Sequence, residues 1–206
     1  MENTSSSRMQ SSGTWMQDPL ANTVDWSPLV GGGTNFRTHK LSWAGPEKAL
    51  FTATRGYQIF SYLFLGIGLI AWIAAFLMPA SAGFFNERWL VILFSLPFAG
   101  VRIYLLRSAN RYVAFDFAAG DFVQTKRPKG QWFVAKQDAF YERVPLGDIY
   151  AFQLLSEPLS DYSSYEFNLI LRDGSRIHVV DHGDRKSLLQ DMETLAARLD
   201  CGIWVR

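Results

Sequence analysis

Tyr57–Met78 reads YQIFSYLFLGIGLIAWIAAFLM, and not one residue of it is charged. Wound as an α-helix at 1.5 Å per residue, the run covers about 33 Å, enough to cross a hydrocarbon core about 30 Å thick. A core helix of a soluble domain would be shorter or would carry a polar stripe. A cleaved signal peptide would begin close to Met1. The stretch therefore predicts a transmembrane helix. Pro79 ends it, PASAGFFNER makes a short turn, and Trp89 opens WLVILFSLPFAGVRIYLL between Arg88 and Arg107. Two apolar runs joined so briefly must be antiparallel neighbours, so residues 57–107 read as a transmembrane helical hairpin, with Pro97 expected to kink the second helix.

The flanks set the orientation. Lys40, Lys48 and Arg55 precede the hairpin and Arg102, Arg107 and Arg111 accompany or follow its end, against Arg88 alone in the turn. Positive charge collects on the cytoplasmic side, so both termini are expected there. Tyr57, Trp89 and Tyr104 suit the two membrane interfaces. Arg102 and Arg107 complete the set of interface anchors, the long Arg102 stem snorkelling its guanidinium to the headgroups. Gly66, Gly68, Ala71 and Ala75 allow close helix contact, inside the hairpin or between copies in a homo-oligomer.

The whole chain has 206 residues, 49% of them hydrophobic, and a formal net charge of +1. So neutral a balance argues against a nucleic-acid partner, which calls for a basic surface. One cysteine, Cys201, excludes an intrachain disulfide framework and a multi-thiolate zinc site, and it reads as a packed thiol. Residues 1–33 are polar and rich in Ser, Thr and Gly, with no sustained apolar period, and are expected to form a disordered tail. The glycines of GGGTNFRTHKL, from Gly31 on, lack a following GK[ST] and open no predicted helix, so they read as a joint rather than a phosphate loop.

Beyond Arg111 the pattern changes to short β-rich segments between turn dipeptides. Tyr112–Phe117 and Phe122–Thr125 form a hairpin around AAGD. Strand character returns in YERVPL and IYAFQLL, and YEFNLILRDGSRIHVVD is a second hairpin, with Asp173-Gly174 supplying the positive φ angles of a primed turn. From Asp184, a plausible N-cap, Leu188, Met192, Leu195 and Leu199 share one helical face, and Gly202 is placed to end that helix. Ahead of the apolar runs, residues 34–56 offer two strands around AGPE, and Phe36–Trp43 should then pair with strands beyond Arg111.

The expected fold is thus an α+β membrane protein: a two-helix transmembrane hairpin and a cytoplasmic antiparallel sheet domain, made from residues 34–56 and 108–206 and closed by a C-terminal amphipathic helix. A strand pair, a membrane hairpin, further strands and a helix, in that order, resemble a bacterial pleckstrin-homology-like domain split by two spans, which implies residence in the bacterial inner membrane. FDFAAGDFVQTKR, VPLGDIYAFQL and LAARLDCGIWV also resemble the photosystem I assembly factor family, which likewise has two early spans and a cytoplasmic or stromal domain.

Chemistry-bearing patterns are sparse. His178 and His182 in HVVDH do not converge if that segment is a strand, so no metal is expected, and His39 is remote in sequence. No GxSxG, HExxH, Walker or Rossmann pattern occurs, and neither catalysis nor a cofactor is expected. Lys126, Arg127 and Lys129 form a basic loop that could meet anionic lipid headgroups. The functional expectation is a non-enzymatic integral membrane protein whose sheet domain binds a protein partner, as an assembly or scaffold factor. The alternative is a membrane-integral protective, immunity-type or lipid-associated factor.

Overall fold

A computed structural model describes residues 14–77, 87–109, 111–125 and 141–206. The protein is α+β. It divides into two compact units: Met1–Thr52 together with Tyr112–Arg206, and Ala53–Arg111.

The first unit is discontinuous in sequence. Its first sheet runs in the order β1 (His39–Trp43), β2 (Lys48–Ala53), β3 (Val113–Asp116), β4 (Asp121–Thr125), β5 (Tyr141–Pro145). The join across the inserted helices is made by β2, which pairs antiparallel with β3 as Lys48↔Asp116, Ala49↔Phe115 and Leu50↔Ala114. Phe36–Trp43 was the expected partner of the later strands; in the ladder β1 takes the sheet edge and pairs with β2, while direct contacts to later residues run from Phe36 O to Gly183 N, from Thr38 Oγ1 to Asp181 O and from Trp43 to Phe117. Lys48 Nζ lies 3.0 Å from Asp116 Oδ2, so a cross-strand ion pair marks the same register.

The second sheet is β8 (Arg176–His182), β7 (Ser163–Leu171), β6 (Ile149–Pro158), β9 (Gly202–Val205) in spatial order. It is not purely antiparallel, because the tail after the last helix returns alongside β6 as a parallel strand, Phe152 facing Ile203. The β7–β8 turn also differs from expectation. Gly174 alone takes positive φ (82°), Gly174 N donates to Leu171 O (2.9 Å), and Leu171 N donates to Ser175 O (2.9 Å). That is a three-residue loop with a left-handed glycine, in which Asp173 Oδ1 accepts from Ser175 N instead of reversing its own backbone.

Between the sheets lies an aromatic core. Phe115, Phe122, Phe152 and Phe167 are each fully buried. The Phe115 and Phe152 rings lie 6.2 Å apart and Phe51 and Phe167 6.0 Å apart, contacts that link one sheet to the other. Truncating any of the four to alanine would cost about 3–5 kcal/mol. Helix α3 (Arg185–Leu199) closes this core with Leu188, Met192 and Leu195, all fully buried. Asp184 caps it, its carboxylate accepting from Ser187 N at 3.0 Å. The helix stops before Gly202: Asp200 takes the left-handed conformation (φ 52°, ψ 43°), Cys201 N donates to Ala196 O, and Gly202 begins β9.

The second unit is a pair of helices, α1 (Arg55–Leu77) and α2 (Glu87–Ala109). Both are long and apolar enough to cross a membrane. Among their less exposed positions, a series recurs every three or four residues, 57, 61, 64, 68, 71 and 75 on α1 and 91, 95, 98, 102, 105 and 109 on α2, with 66, 92 and 108 also less exposed beside it. A 3.5-residue seam is the spacing of helices that coil left-handed around each other. A Cβ on Gly68 would meet Phe98 Cβ at 3.4 Å, so glycine there lets the helices approach. Ala75 is fully buried, whereas Gly66 has open space around it. Helix α2 continues through Pro97 as one element.

Asp200 is the one non-glycine residue with positive φ among the described residues. Glycine removes the Cβ conflict of that conformation, so Asp200→Gly should stabilise the fold by a few tenths to about 1 kcal/mol. Urea unfolding of the detergent-solubilised protein would read this as a higher midpoint at unchanged slope.

Candidate functional site

The outer face of the β8-β7-β6-β9 sheet carries a network of buried polar side chains, and it is covered by a segment expected to be disordered. Residues 14–33 form two 3₁₀ turns, Thr14–Gln17 and Leu20–Asn22, followed by an irregular strap. Residues 1–13 lie outside the described residues. At one end the strap packs apolar groups: Ala21 and Val24 are buried against Ala151, Ile170 and Trp204, with Trp15, Leu20 and Trp26 beside them. Trp15 lies 4.6 Å from Trp26, and Trp26 6.2 Å from Trp204, centroid to centroid.

Further along, main-chain groups take over. Glu166, only 3% exposed, accepts from two consecutive backbone donors, Leu29 N (2.9 Å) and Val30 N (2.8 Å). Glu157 accepts from Gly32 N with both oxygens (3.1 and 3.0 Å). In the other direction, Gln153 donates to Asp25 O (3.2 Å), Arg176 to Ser27 O (2.7 Å) and Tyr162 to Gly33 O (2.8 Å). Charge-assisted bonds of the Glu166 kind are the stronger ones, and a buried carboxylate left without them would be costly.

Beneath the strap the polar side chains also bind one another. Asn168 Nδ2 donates to Glu166 Oε1 (2.6 Å) and to Gln153 Oε1 (3.3 Å). Arg176 reaches Asp25 Oδ2 at 3.2 Å, and the Ser27 hydroxyl beside that exposed carboxyl is the first cause holding it below the usual carboxylate range. A shallow groove of about 520 Å³ runs beside the strap, lined by Val24–Ser27, Leu155, Ser156 and Arg206. Chemically, this face holds an extended chain by its backbone.

The three glycines are seated in the same arrangement. A Cβ on Gly33 would fall 1.9 Å from Ser164 Oγ, and Gly32 has φ 78°. Gly33 makes a close approach of backbone to sheet and Gly32 is held through its N–H by Glu157, so the run is seated rather than a free joint. Just beyond, Gly183 N donates to Phe36 O (3.2 Å) and Thr38 Oγ1 to Asp181 O (3.1 Å).

His39 and His182 are both buried near this crossing. Opposite Phe167 and Asn168 the pairing shifts register, with Val180 facing Phe167 and His178 facing Asn168. The extra residue reverses the alternation, so His178 and His182 do not share a face. His182 is fully buried, and its Nδ1 accepts from Asp184 N at 3.2 Å. Burial, then the Arg37 charge, pushes its pKa down to about 4, with His39 adding to the effect and Asp184 opposing it. Among the described residues no group of three His, Cys, Asp or Glu side chains is placed to hold a metal. Burial pushes the Cys201 thiol up to about 12, so it is a packed group at neutral pH.

The expected membrane anchors divide. Trp89 and Tyr104 are 56% and 69% exposed on the helical unit, and Arg107 is exposed too. Tyr57 and Arg102 instead turn into the seam. The Tyr57 hydroxyl donates to Leu105 O (3.4 Å), and Arg102 donates to the buried Ser61 hydroxyl while its guanidinium lies 4.4 Å from the Tyr62 ring centroid. The basic loop Lys126, Arg127 and Lys129 lies outside the described residues. No protein-family model and no curated protein matches the chain.

The pH dependence of His182 has a definite sign. Its folded pKa of about 4 lies below the ordinary 6.5, so between these values the unfolded chain binds the extra proton. Its contribution is therefore neutral above pH 6.5 and becomes a penalty as pH falls, reaching about 3 kcal/mol near pH 4. Unfolding free energies measured between pH 4 and 7 should show this slope in the native protein and a flatter one in His182→Gln.

Proposed function

We propose that this chain is a non-enzymatic integral membrane protein whose sheet unit binds a protein partner, in the manner of an assembly or scaffold factor. The observation that carries the reading is the sheet face that grips an extended peptide segment through Glu166, Glu157, Gln153 and Arg176. Its polar groups are spent on main-chain donors and acceptors, the chemistry by which one chain recognises another. Two packed sheets closed by α3 suit a domain of the pleckstrin-homology kind. The two helices, long and apolar enough to cross a membrane, support a place in a bilayer, for which the bacterial inner membrane is the proposed address.

Cytoplasmic placement of both termini rests on the flanking lysines and arginines. It is supported by the folding of residues on either side of the inserted helices into one unit, which requires both to lie on the same side of the membrane.

Crosslinking in native membranes followed by mass spectrometry tests the proposal. One or a few stoichiometric partners are expected, with crosslinks concentrated on the strap and strands β6–β8. Repeated recovery of no stoichiometric partner, or of partners attached only to α1 and α2, would reject it.

A further inference from the structure

We infer that residues 14–30 are an exchangeable internal ligand, and that the sheet face beneath them is a docking site for an extended, tryptophan-bearing segment of another protein. The inference rests on the proposed partner-binding function and adds where, and by what chemistry, the partner binds.

The first argument is the composition of the covered face. A sheet face buried for good is normally built from aliphatic and aromatic residues, because each buried polar group must find a partner or cost stability. The inner face of this sheet obeys the rule with Phe152, Leu154, Phe167, Leu169, Ile177 and Val179. At the centre of the outer face stand Gln153, Glu166 and Asn168, at most 3% exposed, flanked by Arg176. Such residues suit a face that is wet when its cover leaves. Solvent would then satisfy the Glu166 carboxylate and the Gln153 and Asn168 amides, and the apolar surface uncovered is concentrated at the Ala151, Ile170 and Trp204 end, where an incoming indole would cover it.

The second argument is how the cover is held. Its main bonds run to its own backbone N–H and C=O groups, which any extended peptide possesses, so the face does not depend on this one sequence. Sequence selectivity is confined to the tryptophan end, where Trp26 and Trp15 stack toward Trp204. Two outlying fastenings are exposed: Tyr150 to Asp18 and Arg176 to Asp25. Exposed bonds of that kind hold weakly and release readily. Being tethered, the strap acts at a high effective concentration and excludes a weaker outside segment. A competing peptide must therefore offer two consecutive free backbone donors to Glu166, a carbonyl to Arg176 and an indole to Trp204.

The test keeps the full chain in detergent and inserts a protease recognition sequence between Val30 and Gly31, to be cut after folding. The probe is a labelled synthetic peptide of residues 14–30, followed by fluorescence anisotropy. Uncut protein should take up little probe. Cut protein should release its fragment and bind the probe saturably, and changing Trp26→Ala in the probe should weaken binding at least tenfold without any risk to the protein's fold. A cut fragment that stays seated against excess probe, equal uptake by cut and uncut protein, or equal binding of the Trp26→Ala probe would each overturn the inference. Probe exchange without a partner in native membranes would sink the proposed function and leave the docking site standing; a captured partner without exchange would do the reverse.

Discussion

The pairing of β2 with β3 governs the organisation of this protein. Lys48–Leu50 lie beside Ala114–Asp116 as antiparallel neighbours, yet the chain makes two long apolar helices between them. Antiparallel strands set side by side bring the end of one next to the start of the other, about 5 Å away. Whatever is inserted there must return to where it left. An even number of helices satisfies that demand, and a single helix or three cannot if each crosses a bilayer. The sheet thereby fixes the hairpin's topology, and the hairpin leaves the core of Phe51, Phe115, Phe152 and Phe167 intact because it enters at a strand end.

Much of this was legible because it is periodic. An uncharged run longer than a bilayer is thick, a 3.6-residue stripe on α3 and the alternation of β7 and β8 are each repeated signals, and the elements stand close to where they are expected. Single-residue geometry was less legible. Asp200 rather than Gly202 ends α3, since the left-handed position falls where the last turn's carbonyls need covering, and aspartate tolerates it. Gly174 alone reverses at the β7–β8 loop. Which strand crosses to β3 follows from pairing, and pairing leaves no trace in a single strand's pattern.

The strap escaped for a physical reason. Its seat is made of isolated aromatics, Trp15 and Trp26, and of backbone N–H groups, which every residue carries and no periodicity reveals. Polar composition with few apolar residues ordinarily means that too little surface can be buried to order a chain. Here a buried carboxylate does some of that ordering, and the acceptor, Glu166, lies far away in sequence. The one local hint was the glycine run itself: three glycines can mean looseness, but they also permit the approach that Gly33 makes to Ser164. Only the sheet opposite decides between the two.

Arg102 shows how a side chain named for one role serves another. As an anchor it would run outward to the headgroups; in the seam it reaches Ser61 and Tyr62 on the neighbouring helix. An apolar 3.5-residue seam specifies that two helices pack but discriminates poorly among registers, since a slip of one heptad again sets apolar side chains against each other. One polar pair removes the ambiguity, because any slip leaves the guanidinium without the serine, and an unpaired charge among apolar side chains is costly. Around it the contacts keep one register: Tyr57 meets Leu105, Ser61 meets Arg102, Phe64 meets Phe98 and Gly68 meets Ser95. Each step along α1 from Tyr57 towards Gly68 is matched by a step back along α2 from Leu105 towards Ser95, as in antiparallel helices whose outer ends stay level. Level ends are also what the β2–β3 pair demands of the chain that leaves and rejoins it, so the sheet ladder and the helix seam specify the same topology independently.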